Sequence, residues 1–210
     1  MTFSYEQKPQ AIEDASFAMI RTVLASYAVP EALLPVVIRV VHAGADFSLA
    51  SLVTVGGTTV PDLAARLRRG GRLFCDVSML AAGISRKIAA DCGLDPFASV
   101  HDESVAEKAA AKGITRAMAA VDMAVAQGVR LFAFGNAPTA LFRLLEHARE
   151  GAPVDAVIGM PVGFVGAADS KEALLASGLP CLTLRGPRGG SNLCAAALNA
   201  LLRLDDAPAS

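Results

Sequence analysis

No tryptophan occurs in this sequence, and aromatic residues make up only 5% of its 210 positions. A surface that stacks nucleic-acid bases needs more aromatic side chains than that. Excess basic charge is missing too: 19 Lys and Arg stand against 20 Asp and Glu, a net charge of -1, and the isoelectric point is near 6.3. Phosphate backbones are bound by clustered Lys and Arg, so no nucleic-acid partner is expected. Mean hydropathy is high, at +0.46, but it comes from Ala-rich stretches. No run reaches the roughly 18 uninterrupted apolar residues of a spanning helix, so no membrane is expected either. Met1 to Gln10 is polar and lacks the apolar core of a signal peptide. Cys75, Cys92, Cys181 and Cys194 lie far apart and form no Cys-x-x-Cys pair, which argues against zinc or dithiol chemistry. Together these absences fit a cytoplasmic protein with four buried thiols.

What is present is apolar. Hydrophobic residues make up 53% and charged ones 19%, a balance that excludes a disordered chain. One domain, spanning residues 1–210, is expected at this length. It would bury roughly 70% of its unfolded surface. No linker, repeat or low-complexity segment interrupts it, and Asp205 to Ser210 reads as a loose tail.

Two helices open the chain. Ala11 to Tyr27 carries Ile12, Phe17, Ile20 and Leu24 on a broad apolar face; Glu31 to Ala43 follows the break at Pro30. A third, Pro61 to Arg69, ends at Gly70-Gly71. From Arg72 the rhythm changes to short apolar runs at 73–77, 131–134, 156–159 and 181–184, with weaker candidates at 98–101 and 52–55. Runs without alternation suit strands covered on both faces, as in a parallel sheet. Helices are expected at 115–127, 139–149, 170–177 and 191–204. The pattern is α/β, a doubly wound parallel sheet preceded by N-terminal helices.

In such a sheet, ligands collect beyond the carboxyl ends of the strands. Three glycine-rich junctions fall there: 134–139 with Asn136 and Thr139, 159–166 with Gly163, and 185–192 with Gly190 and Ser191. Helix N-termini offer N–H groups to anions, so three together imply a ligand with several anionic groups. Glycine and proline are equally the ordinary material of βα turns, and none of the loops matches a phosphate-loop or dinucleotide fingerprint. Of three histidines, His147 reads as a solvated residue or a charge near a helix C-terminus, and His101 as a loop residue. His42 closes the second helix, three positions after Arg39 and just before small residues that leave room for a ligand. A guanidinium beside an imidazole makes an acid–base site for a carboxylate-bearing substrate; from spacing alone, a partly buried structural histidine is the plainer alternative. Arg116, opening a helix after Gly113-Ile114-Thr115, could meet an anionic ligand or simply a neighbouring carboxylate, and Ser85 ahead of Arg86-Lys87 could do the same, though surface charge is the plainer reading there. The run Arg66, Arg68, Arg69, Arg72 reads as a solvated helix edge, and Ser16 as a hydroxyl bonding back into its helix.

Several motifs occur together in order: Pro9-Gln10-Ala11-Ile12-Glu13 with Ser16-Phe17, Arg39-Val40-Val41-His42, Gly113-Ile114-Thr115-Arg116, Gly135-Asn136-Ala137-Pro138-Thr139-Ala140-Leu141-Phe142, Pro161 to Ala167, and Gly189-Gly190-Ser191. Across Tyr5 to Leu204 the chain resembles the precorrin-8X methylmutase family of vitamin B12 biosynthesis, which includes cobalt-precorrin-8 methylmutases. The resemblance implies a flavodoxin-like three-layer α/β/α fold, commonly a homodimer. It implies an isomerase that moves a methyl group from C-11 to C-12 of a corrinoid ring by a 1,5-sigmatropic shift. By the resemblance His42 would be the proton donor and acceptor, with Ser16 and Arg39 contacting substrate; the loop and polar-cluster candidates Arg116, Ser85, Asn136, Thr139, Gly163, Gly190 and Ser191 are taken as further substrate-binding positions. No cofactor is implied; any cobalt would belong to the substrate, and residues 115–122 look closer to the cobalt-containing branch. The loop after His42 varies within the family, so no contact is carried over from it. A carrier that holds tetrapyrroles without converting them is the alternative.

Overall fold

A computed structural model describes residues 5–204. The expected tail at 205–210 lies outside them. Helix α1 (Pro9–Leu24) starts with a proline at its first position and buries Ile20 and Leu24. Helix α2 (Leu34–Gly44) also takes its proline early, where the missing N–H costs least, and buries Val36, Val37, Ile38, Val40 and Val41. Ala45, in the left-handed conformation at φ 48°, ends α2 and turns the chain away immediately after His42.

Six strands form one sheet: β1 (Val53–Gly56), β2 (Gly71–Cys75), β3 (Leu94–Phe97), β4 (Leu131–Phe134), β5 (Ala156–Gly159) and β6 (Cys181–Leu184), in the order β1-β6-β5-β4-β2-β3. The five strands β2 to β6 are parallel. Numbered among themselves they run 2-1-3-4-5, the flavodoxin-like order, whose crevice lies where the order reverses. Here that point is between β2 and β4. The edge strand β1 pairs antiparallel with β6, so the sheet is mixed.

Two apolar cores fill the space on either side. On one face α2, α3 (Val60–Arg68), α4 (Ser78–Gly83), α5 (Arg86–Asp91) and α10 (Ser191–Leu202) pack on Leu73, Ala133, Ile158 and Leu182. On the other, α6 (Glu103–Lys112), α7 (Arg116–Ala126), α8 (Pro138–Arg149) and α9 (Ala167–Ala176) cover Phe74, Phe132, Phe134 and Val157. Helix α1 packs outside this sandwich, on α2. The strand expected at 98–101 is displaced to 94–97, and α4, α5 and α6 were not foreseen.

His147 is neither solvated nor a simple helix-end charge. It meets Asp122 at 2.8 Å, and Asp122 also takes Lys112 at 3.0 Å and Arg143 at 2.5 Å, so one buried carboxylate ties α6, α7 and α8 together. Hydrogen bonds from Arg143, His147 and Lys112 outweigh burial and hold this carboxyl far below the ordinary range. A depressed folded-state value contributes stability above the unfolded-state value, near 4, which is lost as pH falls below it. Asp122→Asn is therefore expected to cost about 2 kcal/mol at pH 7, the worth of a hydrogen bond to a charged group, and to flatten the acid limb of the stability curve. Denaturant melts at pH 7 and pH 3 check this; an unchanged acid limb would refute it.

Candidate active site

The carboxyl ends of β4, β5 and β6 are locked together by backbone. Gly190 N–H donates to Met160 O at 2.9 Å and Gly163 N–H to Pro187 O at 3.1 Å. A Cβ at Gly189 would fall 2.2 Å from Met160 O, and one at Gly135 would fall 2.7 Å from Ser191 Cα, so both positions need glycine. Beneath the loops lies Lys171, fully buried, whose Nζ donates to Arg188 O at 2.5 Å; burial pushes its amine down to about 8. The Arg188 guanidinium in turn reaches Asp46 at 2.6 Å, and also Ser48, just past the end of α2. Asn192 Nδ2 donates to Ala43 O at 3.4 Å. These bonds set the residue after His42 against the residue after Ser191.

His42 is exposed at the C-terminal end of α2. Its ring meets Phe17 edge-on, with centroids 5.4 Å apart, and it borders a cavity of about 440 Å³ with Pro9, Gln10, Ile12 and Glu13. Arg39 also meets Phe17, its guanidinium carbon 5.0 Å from that ring's centroid, and pairs with Glu13 at 3.2 Å. It borders a second cavity, of about 310 Å³, which also holds Arg21 and Arg203. The sequence did not mark Phe17 as the ring that both His42 and Arg39 meet, nor Arg21 and Arg203 as neighbours. Ser16 donates its hydroxyl to Ile12 O at 2.8 Å, the local bond its helical position suggested. It stays within one turn of the His42 cavity.

The remaining candidates divide. Thr139 and Thr115, the residue before Arg116, have hydroxyls 3.4 Å apart, so the starts of α7 and α8 share one edge with Asn136, Gly163, Gly190 and Ser191. Ser85 does not join them. Its N–H donates to Asn199 Oδ1 at 2.8 Å, eight residues and about 12 Å down α10 from Ser191.

One expectation is overturned. The loop at the start of α8 does not offer free N–H groups to a ligand, because Asp76 at the end of β2 already occupies it. The Asp76 carboxylate accepts from Gly135 N–H at 2.9 Å, Asn136 N–H at 2.8 Å and Ala137 N–H at 2.7 Å. It is fully buried at the β2/β4 crevice; burial pushes its carboxyl above the ordinary range, and the three amide donors pull it back. Asn136 does not cap α8 either: the cap position is Ala137, with no side-chain bond. The ends of α9 and α10 differ, since Gly166 and Gly190 precede them with no side-chain cap. Two of the three N-termini therefore remain available to anions.

Among the described residues, no group of three or more His, Cys, Asp and Glu side chains is placed to hold a metal, and no helix is long and apolar enough to cross a membrane.

Comparison with known proteins gives this edge its context. A cobalt-precorrin-8 methylmutase of Salmonella typhimurium is 42% identical over 208 residues, covering 94% of this chain and 96% of its own. A precorrin-8X methylmutase of Sinorhizobium sp is 39% identical over 207 residues, covering 96% and 97%. The precorrin-8x methyl mutase structure from Thermus thermophilus superposes with a TM-score of 0.85 at 35% identity, covering 92% of this chain and 95% of that one. The family model for precorrin-8X methylmutase matches residues 11–204, a span that holds α2 with His42 and all six strands; the chain belongs to the precorrin-8X methylmutase family, isomerases of cobalamin biosynthesis.

Proposed function

We propose that this protein moves the methyl group of a precorrin-8-type corrinoid from C-11 to C-12, with His42 as the proton donor and acceptor. In this shift the bond from C-11 to the methyl carbon breaks as the bond to C-12 forms, and the ring's π electrons rearrange, so no external methyl donor or oxidant takes part. Protonation of the conjugated ring by His42 redistributes its electrons and lowers the barrier; the same imidazole recovers the proton. The observation that carries this reading is the position of His42. It is exposed at the mouth of a cavity, with its ring against Phe17 and no side chain among the described residues bonded to its nitrogens.

The substrate's acetate and propionate groups would meet Arg39, Arg116 and the uncapped starts of α9 and α10, with Ser16, Asn136, Thr139, Gly163, Gly190 and Ser191 lining the approach. Ser85 would join the set on the Arg39 side, since its partner on α10, Asn199, directly precedes Ala200 in the lining of the Arg39 cavity. Any cobalt arrives inside the substrate, and the cobalt form is the preferred one; residues 115–122 support this. A homodimer fits the exposed stripe of Ile12, Met19 and Val23 on α1.

Anaerobic mixing of the purified protein with metal-free and cobalt-containing precorrin-8, followed by visible absorption and product identification, tests the reading. Turnover to the rearranged corrin supports it, and the faster form identifies the branch. Binding of both forms without isomerised product would replace it with a carrier. Arg39→Ala should raise KM about 10–100-fold, the worth of one charge-assisted hydrogen bond, with kcat nearly unchanged. Unchanged affinity in a titration would remove Arg39 from the binding set.

A further inference from the structure

The amino edge of the sheet, opposite the candidate active site, holds a concentration of positive charge that the methyl shift does not use. A cavity of about 240 Å³ lies where α3 ends and β2 and β4 begin, and Arg66, Arg69, Arg72 and Arg130 all line it. Its single acidic lining residue, Asp155, pairs with Arg130 at 2.8 Å. The other three guanidiniums meet no carboxylate there. Arg72 is fixed, its guanidinium carbon 3.9 Å from the Phe97 ring centroid and its Nη1 donating to Gln127 at 2.8 Å. Arg66 is half-buried; its Nη1 reaches only the Asp155 carbonyl, at 3.4 Å, and its Nε is buried with no hydrogen-bond partner. Arg69 is exposed and has no bonded partner among the described residues. The solvated edge expected from sequence is thus, in part, a wall of a cavity.

Helix geometry explains some of this. Cations are favoured at a helix C-terminus, which accounts for Arg66 and Arg69. It does not account for Arg72 and Arg130, which come from the starts of two strands and carry their charge to the same place. Like charges gathered on one small concavity repel each other and raise its affinity for anions. Planar guanidiniums arriving from different elements suit the oxygens of a tetrahedral group with close to two negative charges. A planar carboxylate is satisfied by one guanidinium fork, whereas here several guanidiniums converge and Asp155 takes up only one contact, with Arg130.

We propose that this cavity is a second anion site, distinct from the corrinoid site, and that it takes a phosphoryl group. Strands of four or five residues separate the two edges by roughly 15 Å, so each site can be occupied without contact with the other. The group is either free inorganic phosphate or the phosphate of a small phosphomonoester, since both present the same oxygens.

Calorimetric titrations of the full chain with inorganic phosphate, glycerol 3-phosphate and acetate, all at one ionic strength, test the assignment. Phosphate or the phosphomonoester is expected to bind, and Arg69→Ala, which removes an exposed side chain without a partner, to weaken it at least tenfold. Arg39→Ala, at the other edge, is expected to leave it unchanged. Tighter binding of glycerol 3-phosphate would mark a phosphorylated metabolite as the source, and tighter binding of phosphate the free ion. Acetate binding as tightly as phosphate would overturn the proposal. So would phosphate binding that persists in Arg69→Ala or is lost in Arg39→Ala, or no binding at all.

Discussion

His42→Asn should lower kcat about 10²–10⁴-fold, the usual contribution of a positioned general acid or base, and change substrate affinity little. Asparagine keeps much of the reach and polarity of the imidazole but carries no titratable proton, so the substitution isolates proton transfer from packing. The fold should tolerate it. His42 is exposed, its ring makes one edge contact with Phe17, and the residues that anchor α2 are Val36, Val37, Ile38, Val40 and Val41. Single-turnover absorption with an equilibrium titration of the same substrate separates the two quantities. A folded His42→Asn protein with full turnover would refute the assignment. Loss of binding along with turnover would instead make His42 a positioning residue for the macrocycle.

Asp76→Asn should be the most damaging single change to the fold among those considered. Its carboxylate is fully buried and takes three amide N–H groups from residues 59, 60 and 61 positions later in the chain. An asparagine must turn its own NH2 towards one or more of those donors, leaving them unpaired; the Gly135 N–H among them is buried. Leaving one such donor unpaired costs about 1–3 kcal/mol, which corresponds to roughly 2–12 °C in Tm for a chain of this size. A thermal melt decides the matter: a Tm within about a degree of the parent protein would show that the loop 135–137 holds itself. Activity is expected to fall as well, because Gly135 sits against Ser191 and carries any displacement into the start of α10.

These two residues also mark what sequence can and cannot disclose. The pairing of Arg39 and His42 was legible, since the two lie one turn apart on a helix with a clear apolar stripe and both meet Phe17, but spacing alone favoured a structural histidine, and the proton-transfer role came from the family resemblance. Strands β4, β5 and β6 were legible as unbroken apolar runs, since both of their faces are buried. Strand β3 was missed because Leu94-Asp95-Pro96-Phe97 has neither alternation nor a run, and its proline is tolerated only at the sheet's edge, where β3 lies. The short helices α4 and α5, six residues each, are too brief to show a period. Helix α6 buries only Val105 and Ala109, which leaves no stripe to read. Asp76 was invisible for a different reason: nothing local distinguishes an aspartate at a strand end that waits for solvent from one that closes a loop some sixty residues away.

The interlocked loops after β4, β5 and β6 have a thermodynamic consequence. A binding surface made of mobile loops must lose conformational freedom each time a ligand arrives, at about 0.5–1.5 kcal/mol per immobilised side chain. Here glycines pressed against neighbouring carbonyls, and the Lys171 ammonium clamped on Arg188 O, have already removed that freedom during folding. The entropy is spent once, when the chain folds, and not at every encounter. If these loops bind the corrinoid as proposed, discrimination between a correct ring and a near relative rests on shape and charge placement, since an interlocked floor has less room to adjust to the wrong one.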